Sequence, residues 1–302
     1  MSFHPSGQAA PGRPRRDAGV PGGRRWGRAL LSATRDPREG AERAWERLAE
    51  LKPVRSRIAH PRPDPHWESA LHALLPSPWP CDECDGFAPL WAESLSLLGR
   101  QGVAVGRGAY CGWDDADRAF ARAAWCLTRH LQPRNVVETG VARGLTTSVI
   151  LQALQSNGSG CLFSIDLPPA LDRGQFVDQT GAAVPDRLKP RWTLVRGSSR
   201  RRLPGLLRTL GSIDLFIHDS RHSHRNMCFE MQLAWEALHP GGFLLVDDVH
   251  RNTAFGECVQ RSRPAPSLVC ASDDGNGMFG ILQKPRATLH PVPDTPRPAT
   301  RR

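Results

Sequence analysis

Seven short apolar runs punctuate residues 135–284: NVVETG, CLFSIDL, WTLVRGS, IDLFIHD, GFLLVDD, SLVCAS and MFGILQK. Continuous apolar runs of this length, bounded by turn residues, read as strands buried on both faces. Stretches with helical spacing lie between them, among them TTSVILQAL, RRLPGLLRTL and HRNMCFEMQLAWEAL, the last stopped by HPGG. A chain that alternates in this way forms a parallel sheet with helices on both faces. The last two runs flank the Gly-rich turn DDGNG and read as a hairpin, which places one antiparallel strand in the sheet. The expected fold is α/β, a doubly wound and mostly parallel seven-stranded sheet with one antiparallel strand.

Upstream, an acidic helix start is expected at Trp113-Asp114-Asp115, followed by Phe120, Ala123, Ala124, Leu127 and Leu131 at helical spacing. Residues 113–283 therefore form the main domain. HWESALHALL and APLWAESLSLLG, with a further helical stretch over 36–52, make residues 36–112 an N-terminal helical cap. Residues 1–35 and 284–302 are Pro-rich and basic, and read as disordered tails.

The net charge of +10 belongs to the ends: residues 1–63 carry +8 and 284–302 carry +4, leaving −2 between them. The body lacks a net basic surface, so a nucleic-acid partner is not expected. No run is long and apolar enough to span a membrane, and no apolar segment follows the N-terminal charges as in a secretory signal. The eight cysteines sit mostly in apolar contexts, as in a reducing compartment, so the expected location is cytoplasmic. Cys81 and Cys84 form one CxxC. Without a second pair this reads as a turn carrying two thiols. The sequence sets no oligomeric state and leaves an oligomer open.

In open α/β sheets ligands bind beyond the carboxyl ends of the strands. After the first run come Glu138, Gly140, Gly144 and Thr146, two glycines ahead of a helix start with an acid before them. The spacing is not that of a dinucleotide loop, and Glu138 offers a partner to a ligand ammonium. After the second run comes Asp166, which can accept both hydroxyls of a ribose. Together they suit a nucleoside ligand with a positive charge.

VVETGVARGLTTS, FSID, VRGSS, FIHDSRHSH and GGFLLVDDV together resemble the class I, Rossmann-like S-adenosylmethionine-dependent methyltransferases over roughly residues 113–283. The last pieces look most like the metal-dependent catechol-type and small-molecule or sugar O-methyltransferases. The resemblance implies S-adenosylmethionine as cofactor and a small-molecule hydroxyl as acceptor. It places Glu138 and Gly140 at the methionine end, Thr146 at its carboxylate, Asp166 at the ribose and Ser199 at the adenine.

Asp219 ends one expected strand, and Asp247 and Asp248 end the next. Adjacent strands lie about 4.8 Å apart, so three carboxylates can converge at the tips and call for a cation such as Mg²⁺. By the resemblance, the three fall on the family's metal-ligand positions, Asp248 standing where those enzymes carry Asn. His222 falls where they carry a lysine base, and an imidazole can take a hydroxyl proton. His218 and His224 are expected to bond only loop backbone, and His250 is a candidate for supporting the site from behind. The helical region 66–112 is expected to close over the acceptor, with Trp79, Trp91, Tyr110 and Trp113 as aromatic walls. Alternatives are a metal-independent or nucleic-acid methyltransferase, a two-histidine, one-carboxylate iron oxygenase, and a non-catalytic nucleoside-binding protein.

Overall fold

The computed structural model describes residue 41 and residues 62–286, apart from 111, 168–172, 274 and 276. The basic N-terminal tail, most of the expected helix over 36–52 and the tail beyond 286 lie outside the described residues.

Three helices come first: α1 (Trp67–Leu74), α2 (Asp82–Asp85) and α3 (Phe87–Arg100). Then follow α4 (Arg118–Leu131), β1 (Asn135–Thr139), α5 (Leu145–Asn157), β2 (Cys161–Asp166), α6 (Arg173–Gln179), β3 (Trp192–Arg196) and α7 (Ser199–Leu210). The chain closes with β4 (Ile213–His218), α8 (His224–Ala237), β5 (Leu238–Val246), α9 (Ala254–Arg261), β6 (Ser267–Ala271) and β7 (Met278–Gln283). Among the described residues the strands form one seven-stranded sheet in the order β3-β2-β1-β4-β5-β7-β6. Every neighbour pair is parallel except those made by β7, which runs antiparallel to both β5 and β6. The expected architecture is therefore the observed one. The expected loop before WTLVRGS holds α6 and a turn of 3-10 helix, and α9 had no expectation attached to it.

Successive side chains of a strand point to opposite faces, and the apolar runs feed two cores in alternation. Val136, Leu215, Ile217, Phe243, Leu245 and Ile281 face α4 and α5. Val137, Phe216, Leu244, Val246 and Leu282 face α7, α8 and α9. A side chain of this size, fully buried, contributes about 1.5–3 kcal/mol.

The first turn of α4 starts later than the acidic cluster suggested. Asp117, not Asp114 or Asp115, is the N-cap, and its Oδ1 accepts from Phe120 N at 3.0 Å. Residues 113–116 are irregular, which frees Asp115 for a different task described below.

The N-terminal helices do not sit over the strand tips. Trp67, Leu71, Phe87, Trp91 and Leu98 are buried in the same core as α4 and α5, so these helices thicken one face of the sheet. Trp91 is a core residue, and Trp79 is exposed beside His72. Only the irregular stretch 101–117 reaches the tips, where it carries Tyr110 and Trp113. At the other end Lys284 belongs to the domain rather than to a tail: its N donates to Gly242 O, and its Nζ donates to Trp235 O at 2.8 Å and Leu238 O at 2.7 Å. No described helix is long and apolar enough to cross a membrane.

Candidate active site

The strand order reverses between β1 and β4, so the connections leaving their carboxyl ends run to opposite faces and open a crevice there. Gly140 leaves β1 at φ 87, and a Cβ on it would lie 1.9 Å from the Asp219 carbonyl oxygen. The glycine that looked like a ligand cradle is thus required by the backbone that carries Asp219. Gly144, at φ 82, meets the Gly181 backbone in the same way, with a Cβ 2.9 Å from its Cα. Thr146 is half-buried in the first turn of α5.

Two buried glutamates sit below the crevice. Glu138 is 1% exposed and accepts from Thr147 Oγ1 and, at 2.6 Å, from Ser164 Oγ. Burial pushes its carboxyl up to about 7 despite those hydroxyls. It is committed to internal donors rather than left open for an ammonium. Asp166, at the tip of β2, accepts from Val141 N at 3.0 Å and so ties the glycine loop to the next strand.

Glu230 on α8 had no sequence expectation. It is fully buried and accepts from Thr139 Oγ1, Ser220 Oγ and Asn226 Nδ2, with His218 Nδ1 at 2.6 Å from its Oε2. Burial alone would raise its carboxyl, but His218 and the hydroxyls, Ser199 among them, bring it down to about 2. Ser199 therefore stands beside Glu230 at the start of α7. The one signal available was an acid between Met227 and Met231 on the buried face of a helix.

His218 thus bonds a carboxylate rather than loop backbone. The same correction applies to His224, whose Nε2 is 3.0 Å from Glu257 Oε1.

The carboxylate trio is also corrected. Asp219 and Asp247 converge with His222, whose Nε2 lies 3.7 Å from Asp219 Oδ1 and 4.0 Å from Asp247 Oδ2. Their ligating atoms lie within 4.8 Å of one another, so the group can hold a metal ion. Desolvation, then Asp247, Glu138 and Asp248, push the Asp219 carboxyl well above its usual range. Desolvation, then Asp248, do the same to Asp247.

Asp248 takes no part in that convergence. β5 ends at Val246, and beyond it the chain turns at Asp248 through φ 54. Its Oδ2 lies 2.6 Å from His222 Nδ1 and 2.6 Å from Arg251 Nε. Burial opposes its ionisation, but His222 and Arg251 outweigh it and lower the carboxyl. A carboxylate can only accept from a neutral imidazole, so Nδ1 carries the hydrogen and Nε2 presents its lone pair to Asp219 and Asp247. That Nε2 is buried with no hydrogen-bond partner among the described residues. Burial lowers the His222 imidazole, and the bond to Asp248 offsets this in part. His218 Nε2 is also without a partner, but its side chain is 0% exposed, against 10% for His222. His250 stays behind the site, accepting from Met278 N at 3.2 Å through Nδ1.

The stretch 101–117 is fastened over this crevice by a buried ion pair, Arg143 Nη1 to Asp115 Oδ2 at 2.5 Å, with side chains 4% and 3% exposed. Arg143 also donates to Ala109 O, and its guanidinium lies over the Tyr110 ring. Trp113, half exposed, comes within 6.4 Å of the His222 ring and under the Arg251 guanidinium. Of the four expected aromatic walls, Trp113 is the one beside the imidazole.

Residues 137–249 match the family model described as a methyltransferase domain. No curated protein matches the chain. Among solved structures, the O-methyltransferase TomG from Streptomyces achromogenes, involved in tomaymycin synthesis and in complex with SAM, is 16% identical. That match covers 65% of this chain and 89% of TomG, with a TM-score of 0.47. An O-methyltransferase from Bacillus cereus in complex with SAH is 16% identical, with 72% of this chain and 97% of its own covered and a TM-score of 0.46. A methyltransferase from Geobacter sulfurreducens is 18% identical, with 71% and 97% covered and a TM-score of 0.46. The segment that matches this methyltransferase-domain model contains Glu138, Asp166, Ser199, Asp219, His222, Asp247 and Asp248.

Proposed function

We propose that the domain methylates a hydroxyl of a small molecule with S-adenosylmethionine as donor, assisted by a divalent cation. The carrying observation is the His222 imidazole, held by Asp248 through Nδ1 while its unpartnered Nε2 faces Asp219 and Asp247. Such a ring is oriented to take a proton at Nε2. The methyl carbon forms a bond to the acceptor oxygen as its bond to sulfur breaks, and the hydroxyl proton passes to Nε2. The products are a methyl ether and S-adenosylhomocysteine.

Asp219 and Asp247 are the residues that would hold the cation, and their raised carboxyls fit a site lacking its countercharge. A bound cation supplies a lower pKa to an acceptor hydroxyl. With Asp248 turned away and His222 Nε2 kept for the proton, the two carboxylates suit Mg²⁺ or Mn²⁺. In this reading, as the resemblance implies, Asp166 would take the ribose, Thr146 the methionine carboxylate and Ser199 the adenine side. Glu138 acts beneath them through Thr147 and Ser164. Trp113 offers a flat apolar surface beside the base, which suits a planar hydroxylated acceptor.

The test is methyl transfer from labelled S-adenosylmethionine to a panel of catechol-like and sugar hydroxyls, with and without EDTA. The expected product is a methyl ether whose formation stops in EDTA and resumes with Mg²⁺ or Mn²⁺. Transfer to nitrogen, or full turnover in EDTA, would sink this reading.

A further inference from the structure

The CxxC at Cys81 and Cys84 does not stand alone in space. Cys84 Sγ lies 3.1 Å from Cys126 Sγ and 3.5 Å from His72 Nε2, and Cys81 Sγ lies 3.2 Å from His130 Nε2. Two overlapping groups result, His72-Cys84-Cys126 and His72-Cys81-His130, each with ligating atoms within 4.8 Å. We propose that Cys81, Cys84, Cys126 and His72 hold a structural zinc ion, with His130 beside Cys81 in its outer shell.

The spacing is that of a metal site. Cys81 and Cys84 close a tight turn, Cys84 N donating to Cys81 O at 3.0 Å, and His72 lies within reach of both thiols. Cys126 and His130 stand one turn apart on α4 and share its face. His72 is fully buried, and its Nδ1 lies 2.7 Å from the Glu68 carbonyl. A carbonyl can only accept, so Nδ1 carries the hydrogen and the Nε2 lone pair is turned to the thiols. Metal-binding histidines are oriented by such a bond. His72 also belongs to both groups, which is why it takes the fourth position.

A disulfide between Cys84 and Cys126 would need sulfurs about 2.05 Å apart. Tetrahedral zinc with Zn–S near 2.3 Å sets sulfurs about 3.8 Å apart, so the Cys84–Cys126 pair needs to open by less than an ångström.

The site would add to the ties of a four-residue helix that Trp125 Nε1, donating to Glu83 O at 2.8 Å, and the Arg129–Glu83 ion pair already join to α4. α2 has no side-chain cap and no fully buried residue. Zinc would join α1, α2 and α4 at one point. α4 begins at Asp117 near the strand tips, and Cys126 lies about 13 Å further along it. The ion would thus be distinct from any cation at Asp219 and Asp247.

The test is zinc analysis of the full chain after expression with zinc and dialysis under reducing conditions. One zinc per chain is expected. It should persist in Asp219→Ala/Asp247→Ala and in the exposed-thiol control Cys161→Ser, and fall several-fold in Cys84→Ser and Cys126→Ser. His72→Gln should weaken retention more than His130→Gln, and the reverse result would overturn the choice of fourth ligand. Should the cysteine variants not fold, cobalt loading of the wild type decides. Thiolate-to-cobalt charge-transfer bands are expected, and their absence overturns the site. Zinc-free wild type, zinc lost with the aspartates alone, or a Cys84–Cys126 disulfide in the reduced preparation would each overturn it as well.

Discussion

The strand tips and the inner face of α4 each gather metal-binding side chains, and the two clusters are built on opposite plans. At the tips, donors come from consecutive strand ends, are oxygen-rich, and stay partly open, with the Asp219 side chain 37% exposed. Around α4, donors come from three helices, are sulfur-rich and are closed in, with Cys126 at 2% and His72 at 0% exposure. Open sites with exchangeable positions serve catalysis, and closed thiolate sites serve structure. The two regions should therefore fail differently when disturbed.

The sharpest break is expected at the tips. His222→Gln removes the proton acceptor but leaves the cofactor crevice intact. It should lower kcat by about 10²–10⁴-fold, with affinity for S-adenosylmethionine unchanged in calorimetry. Asp248→Asn, which disturbs only the orientation of that ring, should cost about 10–100-fold. If His222→Gln turned over at the wild-type rate, the tips would not be the catalytic half of the comparison.

The α4 cluster should respond in stability rather than chemistry. Stripping zinc removes a cross-link among three helices, which is worth several kcal/mol in small zinc-held domains. A melting temperature lower by at least about 5 °C is expected by calorimetry. Adding Mg²⁺ should restore turnover at the tips without restoring that temperature. Restoration of both by Mg²⁺ alone would collapse the distinction.

The contrast also explains what the sequence showed in advance. Strand ends are legible because apolar runs locate the strands and topology brings their tips together, so Asp166, Asp219 and Asp247 could be named from one chain. Asp248 misled because the strand stops at Val246, and a left-handed turn beyond it aims the side chain at His222. Glu230 and the Arg143–Asp115 clamp were hidden because each joins elements that no local period relates. The thiol cluster was half visible. CxxC and the one-turn pair Cys126 and His130 are both in the sequence, but only the packing of α2 on α4 shows that they meet.

Beneath the tips, Glu138 and Glu230 repeat the comparison on a smaller scale, and pH separates them. Glu230 falls from 4.5 to about 2 in the fold, so its contribution is full above pH 4.5 and is lost as pH drops toward 2. Glu138 rises from 4.5 to about 7, so the fold prefers it protonated and loses stability as pH climbs from 4.5 through 7. Each shift corresponds to about 3 kcal/mol, of opposite sign at neutral pH. Glu138→Gln should therefore flatten the stability curve between pH 4.5 and 7 and raise stability at pH 8, measured by urea unfolding without cofactor. Glu230→Gln should do the reverse, destabilising at pH 8 and mattering little near pH 2.

The smallest effect belongs to the helix that connects the two clusters. Asp117 caps α4 through Phe120 N, accepts from Ser272 Oγ, and adds its charge to those raising Asp219 and Asp247. Asp117→Asn keeps a capping oxygen while removing the charge, so it should cost under about 1 kcal/mol of stability. It should also ease the ionisation of the two aspartates, moving the acid limb of the cation-dependent rate to lower pH. The zinc content at the far half of α4 should not change. A shift in zinc retention would show that the two clusters are coupled through the helix rather than merely joined by it.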